Sequence, residues 1–243
     1  MQNQILKNEG EGMSILESNA LTKSYNGKKA LNNVNLKLEP GRVIGLLGPN
    51  GSGKTTFIKL CAGLLTPTSG EIIIAGEPVG PETKAKVAFL PERTYLSKWT
   101  KVSSIIKFFD DMYDNFDSDL AYKMLNDLSI DPSDKLKTMS KGTREKVQLV
   151  LVMSRKADIY LLDEPMGGVD PAARDYILDT IMGNYNPEGS ILISTHLIYD
   201  VENILNDVIM IRQGNVVCYD SVENIRNTYG KSVDQVFREV FRC

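Results

Sequence analysis

The chain has 243 residues, 42% hydrophobic and 24% charged, with a formal net charge of -3. That supplies a sizeable core for one large domain or two intimately packed lobes, and gives no global attraction to nucleic acid. No apolar run approaches the roughly 18 residues of a membrane span. Cys61, Cys218 and Cys243 are far apart and odd in number, which fits a reducing compartment and does not fit a zinc site.

In chain order, residues 1–13 are polar and lack the apolar stretch of a secretory signal, so they are expected to be a disordered lead-in, with Met13 an alternative start. Val34, Leu36 and Leu38 alternate with polar residues, which predicts a half-buried strand ended by Pro40-Gly41. Arg42–Leu47 predicts a buried strand. Apolar spacing predicts a helix over Thr55–Leu65, stopped by Thr66-Pro67. Further strands are expected at Glu71–Ala75 and Val87–Leu90. From about residue 94 to 155 the pattern is helical: Val102–Asp114 and Ser118–Leu128 are amphipathic, and a last helix covers Thr143–Ser154. Strands return at Ile159–Leu162 and Ile191–Ser194. Between them Asp170-Pro171 marks a helix start, with Asp as cap and Pro in the first turn. Val208–Ile211 and Val216–Tyr219 flank a hairpin turn. Two short helices follow in 221–243, and Ser232 with Gln235 forms a capping box for the second. The order predicts an α/β fold: a mostly parallel sheet, an antiparallel β portion and an inserted helical subdomain.

Gly48-Pro49-Asn50-Gly51-Ser52-Gly53-Lys54-Thr55 fits G-x-x-x-x-G-K-[ST], between a buried strand and a helix, and Thr56 completes the loop. The glycines let backbone N–H groups turn toward phosphate oxygens, and the helix N-terminus adds partial positive charge. Lys54 places an ammonium on the β- and γ-phosphates, and the Thr55 hydroxyl can ligate Mg²⁺. The expected ligand is ATP with Mg²⁺.

Ile159–Leu162 ends in Asp163 and Glu164. A strand lying beside the loop-bearing strand would deliver Asp163 to the Mg²⁺. Glu164, one residue on, would stand near the γ-phosphate and could act as general base on a water. His196, the single histidine, follows another strand, at the end where open α/β sheets bind ligands. A role at the γ-phosphate and a structural role weigh equally on these grounds.

Over residues 14–243 the chain resembles the nucleotide-binding domain of ATP-binding cassette (ABC) proteins. Leu47–Thr56 matches Walker A, and Ile159–Pro165 matches Walker B with its catalytic Glu164. Met166–Asp170 looks like the D-loop, Ser194–His196 like the switch histidine, and Tyr25 like the aromatic that stacks on adenine. The resemblance implies a RecA-like P-loop core at about 14–93 and 156–220, a helical subdomain at about 94–155, and C-terminal helices at about 221–243. Two stretches depart from the family pattern. The LSGGQ signature appears as Met139-Ser140-Lys141-Gly142-Thr143, keeping Ser140 and Gly142 but placing Lys141 where the family has glycine. The glutamine that normally follows the strand at 87–90 is Glu92, which still offers an oxygen to Mg²⁺.

The resemblance further implies a head-to-tail dimer, homo- or heteromeric. Each ATP would lie between Walker A of one subunit and the Ser140–Gly142 region of the other. It implies separate membrane-spanning subunits docked between Glu92 and the helical insert, with Tyr95, Leu96 and Trp99 as candidate contacts. The chain would then sit peripherally on the cytoplasmic face of the membrane. Leu90-Pro91-Glu92 and Asp170–Arg174 look like exporter-type cassettes of the drug, peptide or antibiotic kind. The alternative is a non-transport ABC ATPase acting on nucleic acid or ribosomes. It is disfavoured by the lack of a long heptad insertion, of a second cassette and of zinc-ligand cysteines. A GTPase would need an Asn-Lys-x-Asp motif, which the chain lacks.

Overall fold

Alternation along the central strands divides the interior into two cores. Ile44, Leu46, Ile159, Leu161, Leu192, Ile209 and Ile211 point to one side. Their neighbours Val43, Leu47, Tyr160, Leu162, Ile191, Ile193, Val208 and Met210 point to the other. A strand buried on both faces has no polar side, which is why these segments are nearly continuous apolar runs. The computed structural model describes residues 14–97, 99–167, 169 and 171–241; the expected lead-in at 1–13 lies outside them.

The elements run β1 (Leu16–Tyr25), β2 (Lys28–Leu38), β3 (Val43–Leu47), α1 (Lys54–Cys61), β4 (Ser69–Ile74), β5 (Glu77–Pro78), α2 (Thr83–Lys86) and β6 (Val87–Leu90). Then come α3 (Val102–Met112), α4 (Ser118–Asp127), α5 (Lys141–Met153), β7 (Ile159–Asp163), α6 (Pro171–Asn184), β8 (Ser190–Thr195) and α7 (Ile198–Val201). Last are β9 (Asp207–Arg212), β10 (Asn215–Ser221), α8 (Val222–Tyr229) and α9 (Val233–Val240). Among the described residues the strands form two sheets. One has order β2-β1-β4-β5 and is antiparallel throughout. The other has order β10-β9-β3-β8-β7-β6 and is parallel except for the β9–β10 hairpin. Phe57, Ile58, Leu60 and Cys61 of α1 pack between the two sheets. Helices α3 to α6, α8 and α9 contribute their apolar faces to the opposite core.

Two local expectations need correction, and one strand, β1, was not expected at all. Helix α1 ends at Cys61 rather than Leu65. Gly63 takes φ +67°, its N–H bonds Leu60 O, and Leu64 N–H bonds Lys59 O at 2.9 Å, a glycine-terminated C-cap that acts before Thr66-Pro67 is reached. Helix α5 begins at Lys141, because Ser140 caps it by accepting from Thr143 N–H at 3.1 Å. Strand β1 carried no clean alternation, since its register shifts twice between Ser18 and Lys23. The capping box of Ser232 and Gln235 on α9 is present as expected.

Two arginines fasten the frame. Arg42, just before β3, meets the fully buried carboxylate of Asp207 at the start of β9 with both Nε and Nη2, the latter at 2.7 Å from Oδ1. Arg42→Leu should destabilise the fold by about 3 kcal/mol, because it leaves a buried carboxylate without its guanidinium. The urea midpoint checks this, and an unshifted midpoint would remove the pair as a determinant of stability. Arg155, after α5, donates to Val87 O at 2.7 Å, Ala85 O at 2.9 Å and Asn115 Oδ1 at 3.1 Å, and its guanidinium lies 3.8 Å from the Tyr113 ring centre. It ties the inserted helices to the start of β6.

Candidate functional site

Strands β3, β8, β7 and β6 run parallel, so their carboxyl ends share one edge of the sheet. That edge presents Gly48, His196, Glu164 and Glu92 in turn. Open α/β sheets bind ligands at such an edge because the connecting loops diverge there.

Gly48–Thr56 leaves β3 and enters α1. The loop is held tightly: Ser52 N–H bonds Pro49 O at 3.1 Å, and Gly53, at φ +116°, lies so near β2 that a Cβ would fall 2.5 Å from Ala30 O. Pro49, Asn50 and Gly51 are exposed, whereas Lys54 is only 5% accessible. The Lys54 side chain folds back over its own loop. Nζ donates to Gly48 O at 2.7 Å and Pro49 O at 3.4 Å, and lies 3.4 Å from Glu164 Oε1. Thr56 lies half-buried in the first turn of α1.

Asp163 reaches this loop, but not from the adjacent strand. Strand β8 lies between β3 and β7, so the expectation that the Asp163 strand flanks the loop-bearing strand is overturned. The gap is bridged by side chains. Thr55 Oγ1 donates to Asp163 Oδ1 at 3.1 Å, and Ser194 Oγ of β8 donates to the same oxygen at 2.6 Å. Ser194 Oγ also accepts from Glu164 N–H at 3.0 Å. Sequence reasoning placed Ser194 only in the stretch that resembles the switch histidine and gave it no contact; the signal was a polar residue near the end of an apolar strand. Asp163 Oδ2, buried, has no hydrogen-bond partner among the described residues. Burial, helped by the carboxylates of Glu164 and Glu92, pushes the Asp163 carboxyl above the usual range, against the hydrogen bonds from Ser194 and Thr55. A buried carboxylate with one free oxygen beside a threonine hydroxyl fits a hard divalent cation.

Glu164 adopts φ +48°, sparsely populated for a non-glycine residue. Its N–H also bonds Ser194 O at 3.1 Å, and its carbonyl accepts from Gly167 N–H at 2.9 Å, which hold the turn. The side chain lies between two cationic or polar groups, with Oε1 toward Lys54 and Oε2 3.0 Å from His196 Nδ1. His196 is half-exposed. The lone histidine therefore joins the site rather than the core.

Ser140, Lys141 and Gly142 open α5 and line a cleft of about 360 Å³ together with Glu92, Glu164 and Gln148; no residue of the phosphate loop lines it. Glu164, 3.4 Å from Lys54, is where this cleft adjoins the phosphate-loop side of the site. Lys141 is exposed and lies 3.6 Å from Glu145. Glu92 is exposed. Tyr25 is exposed at the end of β1, with Lys23 Nζ 5.3 Å from its ring centre. Asp170 lies outside the described residues. Tyr95 and Trp99 are exposed on the helical insert, Leu96 is partly buried, and Lys137 Nζ sits 4.1 Å above the Trp99 ring.

A phosphate loop on a parallel sheet, backed by Asp163 and Glu164 at the same edge, defines the class of P-loop ATPases. The family model described as ABC transporter matches residues 31–167. An uncharacterised ABC transporter ATP-binding protein of Methanocaldococcus jannaschii is 31% identical over 210 residues, 84% of this chain and 77% of that protein. The lantibiotic transport ATP-binding protein SrtF of Streptococcus pyogenes is 29% identical over 225 residues, 90% of this chain and 97% of that protein. A solved ATP-binding subunit of an ABC transporter superposes with a TM-score of 0.85 at 26% identity, covering 94% of this chain and all of that one. The chain belongs to the ABC transporter family, as an ATP-binding subunit and an ATP-hydrolysing enzyme. Among the described residues no helix is long and apolar enough to cross a membrane.

Proposed function

We propose that this chain is the Mg²⁺-dependent motor of a membrane exporter for a drug-, peptide- or antibiotic-like cargo, with residues 14–243 acting as one ATPase domain. The observation that carries the ATPase chemistry is the placement of Glu164 between Lys54 and His196, one residue from Asp163. Lys54 and the Gly48–Thr56 backbone bind the phosphates. Glu164 accepts a proton from the water that attacks the γ-phosphorus, and His196, bonded to its other oxygen, holds the carboxylate in line. Thr55, Asp163 and Glu92 would hold the Mg²⁺, which offsets charge on the phosphate oxygens. Tyr25 stacks on the adenine.

The exposed N-terminus of α5, capped by Ser140, supports a head-to-tail pair, in which that N-terminus and Lys141 of one copy meet the γ-phosphate held by the other, together with Asp170. Closure on the nucleotide then transmits motion through Glu92 and the insert to separate membrane-spanning subunits, at the exposed Tyr95 and Trp99. The chain works at the cytoplasmic face of the membrane. An antibiotic-type cargo is supported by the relative named for lantibiotic transport, and export by a relative of Cupriavidus metallidurans named for Nod factor export, 27% identical over 212 residues.

The test is purification of the tagged chain from native membranes. A co-purifying polypeptide with several long apolar spans, which raises the ATPase rate on reconstitution and moves cargo out of the cytoplasmic-side compartment, is expected. Recovery with ribosomes or nucleic acid, and ATPase stimulation by those instead, would replace this reading with the non-transport alternative.

A further inference from the structure

Three hairpin turns among the described residues share one backbone geometry. Asn26-Gly27, Ala75-Gly76 and Gln213-Gly214 each place two consecutive residues at positive φ, the pattern that suits a two-residue connection. Their surroundings differ. A Cβ added to Gly27 or Gly76 would meet nothing within 4 Å among the described residues, whereas one on Gly214 would fall 2.7 Å from Ala30 O and 3.1 Å from Leu31 Cα.

Gly214 is pressed into this corner by two backbone bonds. Its N–H donates to Ser52 O at 2.8 Å, and its carbonyl accepts from Asn32 N–H at 2.9 Å. The side chains repeat the tie, with Asn32 Nδ2 2.9 Å from Asn215 Oδ1. At the other end of the phosphate loop, β9 of the same hairpin packs so closely that a Cβ on Gly48 would fall 2.5 Å from Ile211 O. The β9–β10 hairpin thus braces the loop at both ends.

We propose that Gly214 is a positioning residue for the phosphate-binding loop. A trans peptide is planar, and its C=O and N–H point in opposite directions. A donor that holds Ser52 O therefore turns the Gly53 N–H away from the hairpin, to the side where the phosphates bind. Only glycine combines this φ with this approach to Ala30, so the hairpin tip and the loop form one backbone unit. The inference rests on Gly48–Thr56 being the phosphate cradle.

Gly214→Ala and Gly76→Ala carry nearly equal backbone strain, at φ 78° and 79°, and differ in what the added methyl meets. Both should lose thermal stability, Gly214→Ala the more, because its methyl also meets Ala30 O. Only Gly214→Ala should raise the Kd for ATP, by about tenfold, the effect of one lost hydrogen bond. Its KM should rise while kcat changes by less than about twofold, since Glu164 and His196 stand on other strands. A folded Gly214→Ala protein with wild-type Kd, or an equal loss in Gly76→Ala, overturns the inference. Lys54→Ala runs alongside: unchanged affinity there overturns the cradle itself, whereas lost affinity there with wild-type Kd in Gly214→Ala overturns the brace alone. Should Gly214→Ala fail to fold, amide exchange on the wild-type chain decides. Saturating ADP should slow the Gly214 amide and leave the Gly76 amide unchanged; no change at Gly214 overturns the proposal.

Discussion

Glu164→Gln should lower ATP turnover by about two to four orders of magnitude, the range lost when a positioned general base is removed. The amide keeps the shape of the side chain and its contacts with Lys54 and His196, so the fold and the Ser194 bonds to the turn are undisturbed. Binding should move the other way. Glu164 Oε1 lies 3.4 Å from Lys54 Nζ, and its negative charge opposes the arriving γ-phosphate. Neutralising it removes a like charge from a largely buried site, so the variant should retain ATP more tightly than wild type. With hydrolysis blocked, the proposed closed pair should accumulate. Phosphate release, nucleotide titration and light scattering with ATP measure the three effects. A wild-type rate would take Glu164 out of the general-base role.

Lys54→Ala should weaken ATP binding roughly ten- to a hundredfold, corresponding to about 1.5–3 kcal/mol for a charge-assisted hydrogen bond. The ammonium is buried against Gly48 O and Pro49 O, so its loss also releases the loop from its own side chain. Lys54→Arg should not restore affinity. The guanidinium is larger and planar, and the space around a 5% accessible side chain was shaped for a compact ammonium. Calorimetric titration with ATP decides both variants, and full rescue by arginine would mean that charge alone matters at this position.

The chemistry of this edge was legible because it is written in short local patterns. A loop of fixed spacing between a strand and a helix needs no distant partner to be recognised, and an apolar run ending in two carboxylates marks its own position. The same holds for the hairpin at β9–β10 and for the Ser232 cap of α9, whose determinants lie within a few residues. Helix α1 was read too long because apolar spacing continues past Cys61. The backbone reversal at Gly63 ends the helix, and periodicity carries no signal for a positive φ.

What the sequence by itself determined is the set of groups of the proposed site, Lys54, Thr55, Asp163 and Glu164, each marked by its immediate neighbours and by the end of the strand it follows; for His196 it left a functional and a structural role evenly weighed. What only the tertiary structure decided is the order of those strands. Insertion of β8 between β3 and β7 makes Ser194 the bridge to Asp163 and Glu164, and the same packing sets Gly214 against Ser52. The place of β8 beside β3 depends on contacts between segments more than a hundred residues apart, such as Val43 with Ile191. Local spacing contains no information about which strand fills the gap.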